Sequence, residues 1–170
     1  MKTILSFFII FAVSAIAGYY FFRNAQLPRA VPVAVSFSHY VHTKQHKMEC
    51  KNCHHNINTQ QRAGIPNIET CSLCHSNIIN PKSEEEKKVY TFVKDNKLIP
   101  WQNYYVVPDY VIFSHRRHVK IGNIDCAICH GDMTMQTTPV LTNYRPFKMK
   151  ICFDCHTQRK ITTECNNCHH

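Results

Sequence analysis

Phe37-Ser38-His39-Tyr40-Val41-His42, leading into Cys50-Lys51-Asn52-Cys53-His54-His55, decides how this chain folds, because the chain holds it twice. Phe113-Ser114-His115-Arg116-Arg117-His118 leads into Cys126-Ala127-Ile128-Cys129-His130, every shared position offset by 76. A repeat in fixed register marks a duplicated structural unit. Its second element, Cys-x-x-Cys-His, occurs five times: Cys50–His54, Cys71–His75, Cys126–His130, Cys152–His156 and Cys165–His169. The ten cysteines are thereby all used. This spacing is that of c-type haem attachment, in which two thiols bond the macrocycle and the next histidine ligates its iron. Zinc would take two such pairs per ion, which five pairs do not divide into, and gives no reason for a histidine after each. Disulfides suit an exported chain but also leave the histidines unexplained. The cofactors expected are five haem c, with Cys50, Cys53, Cys71, Cys74, Cys126, Cys129, Cys152, Cys155, Cys165 and Cys168 as attachment points. His54, His75, His130, His156 and His169 are the expected proximal ligands.

The remaining histidines supply candidates for the opposite face of each iron. His39 and His42 are three apart, as are His115 and His118, so on a helical turn each pair projects from one face and can reach two different haems. His55 follows His54 directly; adjacent side chains diverge, and the two are expected to serve different irons. These five suffice for five bis-histidine haems, with His46 and His170 left over. Met133, Met135 and Met149 are rival ligands, though packing is the commoner role of methionine.

The chain begins Met1-Lys2-Thr3, and residues 4–22 carry no charge. Nineteen apolar residues are just long enough to cross a bilayer. Ala15-Ile16-Ala17 would serve as a cleavage site, but the apolar run continues past it through Tyr19, Tyr20, Phe21 and Phe22, as an interfacial aromatic belt would. Residues 1–22 are therefore read as a transmembrane anchor or uncleaved signal. The charge bias is weak, Lys2 facing Arg23 and Arg29. Orientation follows instead from chemistry: haem c is attached after export. The expected location is the inner membrane, single-pass, with the haem region on the periplasmic side.

The formal charge of +9 would by itself suggest an anionic partner such as nucleic acid. Five haems bring propionates worth about −10, so the loaded protein is near neutral and nucleic-acid binding is not expected. Outside the anchor there are about 30 residues per haem, too few for a separate protein core around each. The expected fold is mainly α with much irregular structure around a haem-packed core. Residues 23–107 form a dihaem module with a connector helix, and 108–170 a trihaem module. The connector opens at Asn80-Pro81-Lys82-Ser83, with Ser83 and Glu86 in capping-box spacing and Val89, Phe92 and Val93 as its apolar face.

Phe-x-His-x-x-His followed by Cys-x-x-Cys-His-His resembles the class III cytochromes c. From Phe37 to about Cys155 the chain is similar to the pentahaem, membrane-anchored cytochrome subunits of alternative complex III. The stretches that carry this include residues 64–75, Ile99-Pro100-Trp101, residues 107–115 and Cys126-Ala127-Ile128-Cys129-His130-Gly131. The resemblance implies an electron relay rather than an enzyme. It would take electrons from an iron–sulfur or quinone-binding partner and pass them to a cytochrome c or terminal oxidase. It also implies that His39 serves the Cys50–His54 haem, His55 the Cys71–His75 haem and His115 the Cys126–His130 haem. His42 and His118 would share the last two. The alternatives are a stand-alone, membrane-anchored quinol dehydrogenase of the NapC/NirT kind, or a periplasmic carrier. A catalytic multihaem reductase needs an open iron, and all five motifs here end in histidine.

Overall fold

The computed structural model describes residues 2–25 and 33–169, without the side chains of residues 2–5, 8, 24 and 25. The chain divides into two units, residues 1–32 and 33–170. The first contains α1, Lys2–Ala25. Its described side chains are exposed. Among the described residues no helix is long and apolar enough to cross a membrane. The expected transmembrane helix is therefore not supported; part of the apolar run, including its first residues and Phe8, lies outside the described side chains.

The second unit is built of short helices: α2 (Cys50–Cys53), α3 (Ile68–His75), α4 (Glu84–Lys94), α5 (Cys126–His130) and α6 (Met149–Gln158). Short 3-10 turns cover His55–Asn58, Met133–Met135 and Cys165–Asn167. Strand pairing among the described residues is one antiparallel bridge, Val111 with His169. The architecture is mainly helical and irregular, as expected.

Among the described residues, buried apolar packing is confined to one place. Val35, Ile68 and Ile99 are the buried hydrophobic residues, surrounded by Cys71, Val89, Phe92, Val93 and Trp101. This cluster joins α3 to α4, the expected connector helix. Ser83 caps α4, its Oγ accepting from the Glu86 amide at 3.2 Å. Asn67 locks the cluster as a surrogate strand: its amide side chain accepts from Ile99 N at 2.9 Å and donates to Ile99 O at 3.0 Å. Trp101 Nε1 donates to Pro66 O at 2.9 Å. Three buried apolar residues cannot by themselves offset the chain entropy of a unit this long.

The duplication is visible in three dimensions. Val41–Gln45 and Arg116–Ile121 are both π turns, a wide form common at functional sites. Met48 N bonds His42 O at 3.0 Å, and Ile124 N bonds His118 O at 3.1 Å. Lys47 and Asn123 hold positive φ angles of 57° and 47°. The bonded pairs and the positive-φ residues keep the offset of 76, and the two π turns end in the same register.

The two copies dock crosswise. Tyr40 N bonds Gln136 O at 2.9 Å, and its counterpart Arg116 N bonds Gln60 O at 3.2 Å. Each copy's π turn thus rests on the segment behind the other copy's haem motif, as in an isologous dimer fused into one chain. On the axis between them lies an open cavity of about 350 Å³, lined by the mates Thr43 and Val119, Cys50 and Cys126, and Asn58 and Thr134.

Candidate functional site

The five Cys-x-x-Cys-His motifs sit on α2, the end of α3, α5, the middle of α6 and the last 3-10 turn. Cysteines three apart on a helical turn share a face, and a histidine one residue on lies beside them. No disulfide joins any of the ten cysteines, which leaves each Cys-x-x-Cys pair available for haem attachment. Burial raises Cys53, Cys71, Cys126, Cys129 and Cys152 above the usual thiol range. Cys50 and Cys126 are in contact, so the first motif of each copy opens onto the same cavity.

The ring pairs carry the most information. His42 and His75 have centroids 6.2 Å apart, His115 and His130 6.4 Å, and His118 and His156 6.1 Å. Two imidazoles bound to opposite sides of one metal, with bonds of about 2.0 Å, set their centroids roughly 6 Å apart. His39 lies near His54: burial first, then His54 and His42, push His39 down to about 4. Burial also lowers His42, His115 and His130. These rings are neutral near pH 7, the form that ligates metals.

Five of the histidines hold Nδ1 in a common way. His42 Nδ1–H donates to Ser38 O at 3.0 Å and His118 Nδ1–H to Ser114 O at 2.8 Å. His54 donates to Gly64 O, His115 to Gln61 O and His156 to Thr162 O, at 2.9, 3.1 and 3.1 Å. A ring whose Nδ1–H is held by a carbonyl presents Nε2 as the ligating atom, the usual support for a metal-bound imidazole. Phe37 stacks on His42 (4.6 Å, 23°) and meets His39 edge-on (5.0 Å, 90°). Phe113 repeats this against His118 (4.6 Å, 28°) and His115 (5.0 Å, 86°). The phenylalanine of the repeat is thus the spacer that sets the angle between its two histidines.

Not every expected ligand falls into this pattern. The resemblance paired His55 with the Cys71–His75 site, but the ring opposite His75 is that of His42. His55 Nε2 is hydrogen-bonded with Thr70 Oγ1 at 3.2 Å. His169 stacks with Tyr110 (6.0 Å, 23°). His170 lies outside the described residues. Met135 and Met149 are exposed.

Haem fits these residues. Among the described residues no group of three or more His, Cys, Asp and Glu gathers as a metal cage would, whereas haem iron needs only two protein ligands and takes the rest from its macrocycle. Leu73, Ile128 and Phe153, which lie inside three of the motifs, are exposed apolar residues suited to cover a flat apolar group.

The fold and site define a multihaem cytochrome c, and the comparisons agree. The model of the class III cytochrome c family matches residues 23–103. That of cytochrome c7 and related cytochromes c matches residues 111–170. The chain is 31% identical over 182 aligned positions to the menaquinone reductase multihaem cytochrome c subunit of Nitratidesulfovibrio vulgaris (strain Hildenborough). That match covers 95% of this chain and 86% of the relative. The chain belongs to the class III and c7-type multihaem cytochromes c, proteins of electron transfer with covalently bound haem.

Proposed function

We propose that this chain holds five haem c groups, one per motif, and serves as the electron-relay subunit of a quinone-linked membrane complex, outside the cytoplasm. The observation that carries the reading is the recurrence of facing imidazoles near 6 Å in both copies of the repeat. In each copy the first histidine serves the copy's own haem: His39 with His54, and His115 with His130. The second serves the next haem along the chain: His42 with His75, and His118 with His156. His55 has no ligand role in this reading.

When bound, the haems supply reversible one-electron chemistry at iron. The chain's residues do the rest. His39 with His54, His42 with His75, His115 with His130 and His118 with His156 would each hold a haem iron from two sides, which would leave those irons no place for substrate. Carbonyl-anchored Nδ1 atoms and the two phenylalanines hold the rings against movement. The contact between Cys50 and Cys126 brings two attachment points together, as a relay requires.

The relative's name supports a partner that handles menaquinone. It favours electron flow towards the quinone, the reverse of the direction the alternative complex III resemblance implies. Membership of an alternative complex III, with iron–sulfur and quinone-binding subunits, stays as the second reading, carried by the residues quoted for it between Phe37 and Cys155. The uncharged residues 4–22 would supply the export signal that haem attachment needs, and partner subunits would hold the protein on the periplasmic face of the inner membrane.

Mild-detergent purification of the chain from native membranes, with mass spectrometry of its partners and of its haem-bearing peptides, tests this. Five modified motifs with a stoichiometric quinone-binding subunit are expected. Recovery of the chain alone would move the reading to a free carrier or a stand-alone quinol dehydrogenase.

A further inference from the structure

Glu86 is unlike the other acidic residues of α4. Its side chain is only 10% exposed, against 77% for Glu84. Its carboxylate accepts from the Ile79 and Asn80 amides at 2.5 and 2.9 Å. One of its oxygens lies 3.4 Å from His75 Nδ1, a buried atom with no hydrogen-bond partner of its own. The spacing from Ser83 to Glu86 reads as a capping box, yet the box is half formed. Ser83 Oγ accepts from Glu86 N, but Ser83 N bonds Asn80 O. The carboxylate turns away from its helix towards His75. His42, His54, His115, His118 and His156 meet neutral carbonyls at the same ring atom.

We propose that Glu86 is a positioning residue that lowers the reduction potential of the haem on Cys71 and Cys74 by acting through His75. The inference rests on the reading of His75 as that haem's axial ligand. A carboxylate facing Nδ1–H draws on that proton and makes Nε2 a stronger donor. Its negative charge in a poorly solvated site also favours ferric over ferrous iron. Outer partners of metal-bound histidines change metal-site properties by tenfold or more when removed. Glu86→Gln should thus shift the one-electron equilibrium of this haem about tenfold towards the reduced form, which is about 59 mV. Glutamine keeps one carbonyl oxygen to accept from Ile79 or Asn80 and loses the other bond, while the Ser83 cap uses only backbone at position 86; Glu86→Asp, which keeps both carboxylate oxygens, separates the charge effect from that lost bond.

The test is a spectroelectrochemical titration of the intact, haem-loaded protein and its variants. Electron paramagnetic resonance of the ferric haems and mass spectrometry of the Cys71–His75 peptide accompany it. In Glu86→Gln one component should move to higher potential while the spin state of every haem stays as in the unaltered protein. Glu86→Asp, which keeps the charge but draws it back, should move it less. Glu84→Gln, with the same loss of charge on the exposed face, should move nothing. Unchanged potentials in Glu86→Gln, with haem still on Cys71 and Cys74, would overturn the inference and leave the ligand assignment standing. If Glu86→Gln does not load haem, Glu86→Asp decides, an unmoved midpoint counting against the role. Absence of haem from Cys71 and Cys74 in the unaltered protein would remove the ligand reading and this inference with it.

Discussion

His42 faces His75 with 6.2 Å between ring centroids, and His118 faces His156 at 6.1 Å. The second histidine of each repeat thus reaches past its own haem motif to the following one. Both rings are aimed by the same device, an Nδ1–H bond to the serine carbonyl four residues back.

The first prediction separates His42 from His55. His42→Ala should turn one haem high-spin and open it to carbon monoxide, seen in the reduced spectrum, because an axial ligand is lost. His55→Ala should leave the Cys71–His75 haem low-spin. The reverse result would restore the assignment implied by the resemblance.

Phe113→Leu addresses the spacer. It removes a stacked ring from His118 and an edge contact from His115. The lost aromatic contacts are worth about 1 kcal/mol, read as a lower Tm. The ferric resonance lines of the Cys126 and Cys152 haems should broaden as their imidazoles gain freedom. Sharp, unmoved lines would deny Phe113 this role.

Gly131 follows His130 at φ +71°, and a Cβ there would lie 2.7 Å from the Tyr144 ring. Gly131→Ala therefore meets both backbone strain and a clash, and should cost more than about 1 kcal/mol in denaturant unfolding. Tyr144 N bonds the Tyr105 hydroxyl at 3.0 Å, and Tyr105 packs on His130 at 4.6 Å. The disturbance should hence appear in the Cys126 haem before any other.

Ile99→Ala probes the one protein-only cluster. Deleting a buried isoleucine side chain typically costs about 2–5 kcal/mol. Much of that is expected here, because Ile99 is 2% exposed and its backbone is pinned by Asn67. Chymotrypsin cleavage should then rise between α3 and α4, while the Cys152 and Cys165 haems keep their spectra.

Much of this site could be read in the sequence because covalent attachment writes itself into short motifs. Five motifs name ten cysteines and five histidines without help from the fold, and the repeat names four more. The apolar face of α4 and its Ser83 cap were legible for a similar reason, being local. The partner of each second histidine was not. Whether His42 or His55 meets His75 depends on where α3 sits and on Thr70 engaging His55, both long-range matters. The second contact of Glu86 was not legible for the same cause: its spacing from Ser83 fits the cap that Ser83 Oγ makes to its amide, and only the fold brings His75 within its reach. The crossed docking also has no local signature beyond the offset itself.

That crossed docking has a consequence for how the protein comes to exist. The support for His115 comes from Gln61, and that for Tyr40 from Gln136. Neither half can complete itself, and the contacts that finish the structure join residues 54 and 96 positions apart. Folding of such high contact order is slow and late. A chain delivered from its amino terminus shows Cys50 and Cys71 to the attachment machinery before Gln136 exists to close over Tyr40. A protein cut between the copies should therefore keep the ligand pairs of each half and the α3–α4 cluster but lose the Tyr40–Gln136 and His115–Gln61 contacts, so that the halves hold haem without closing on one another.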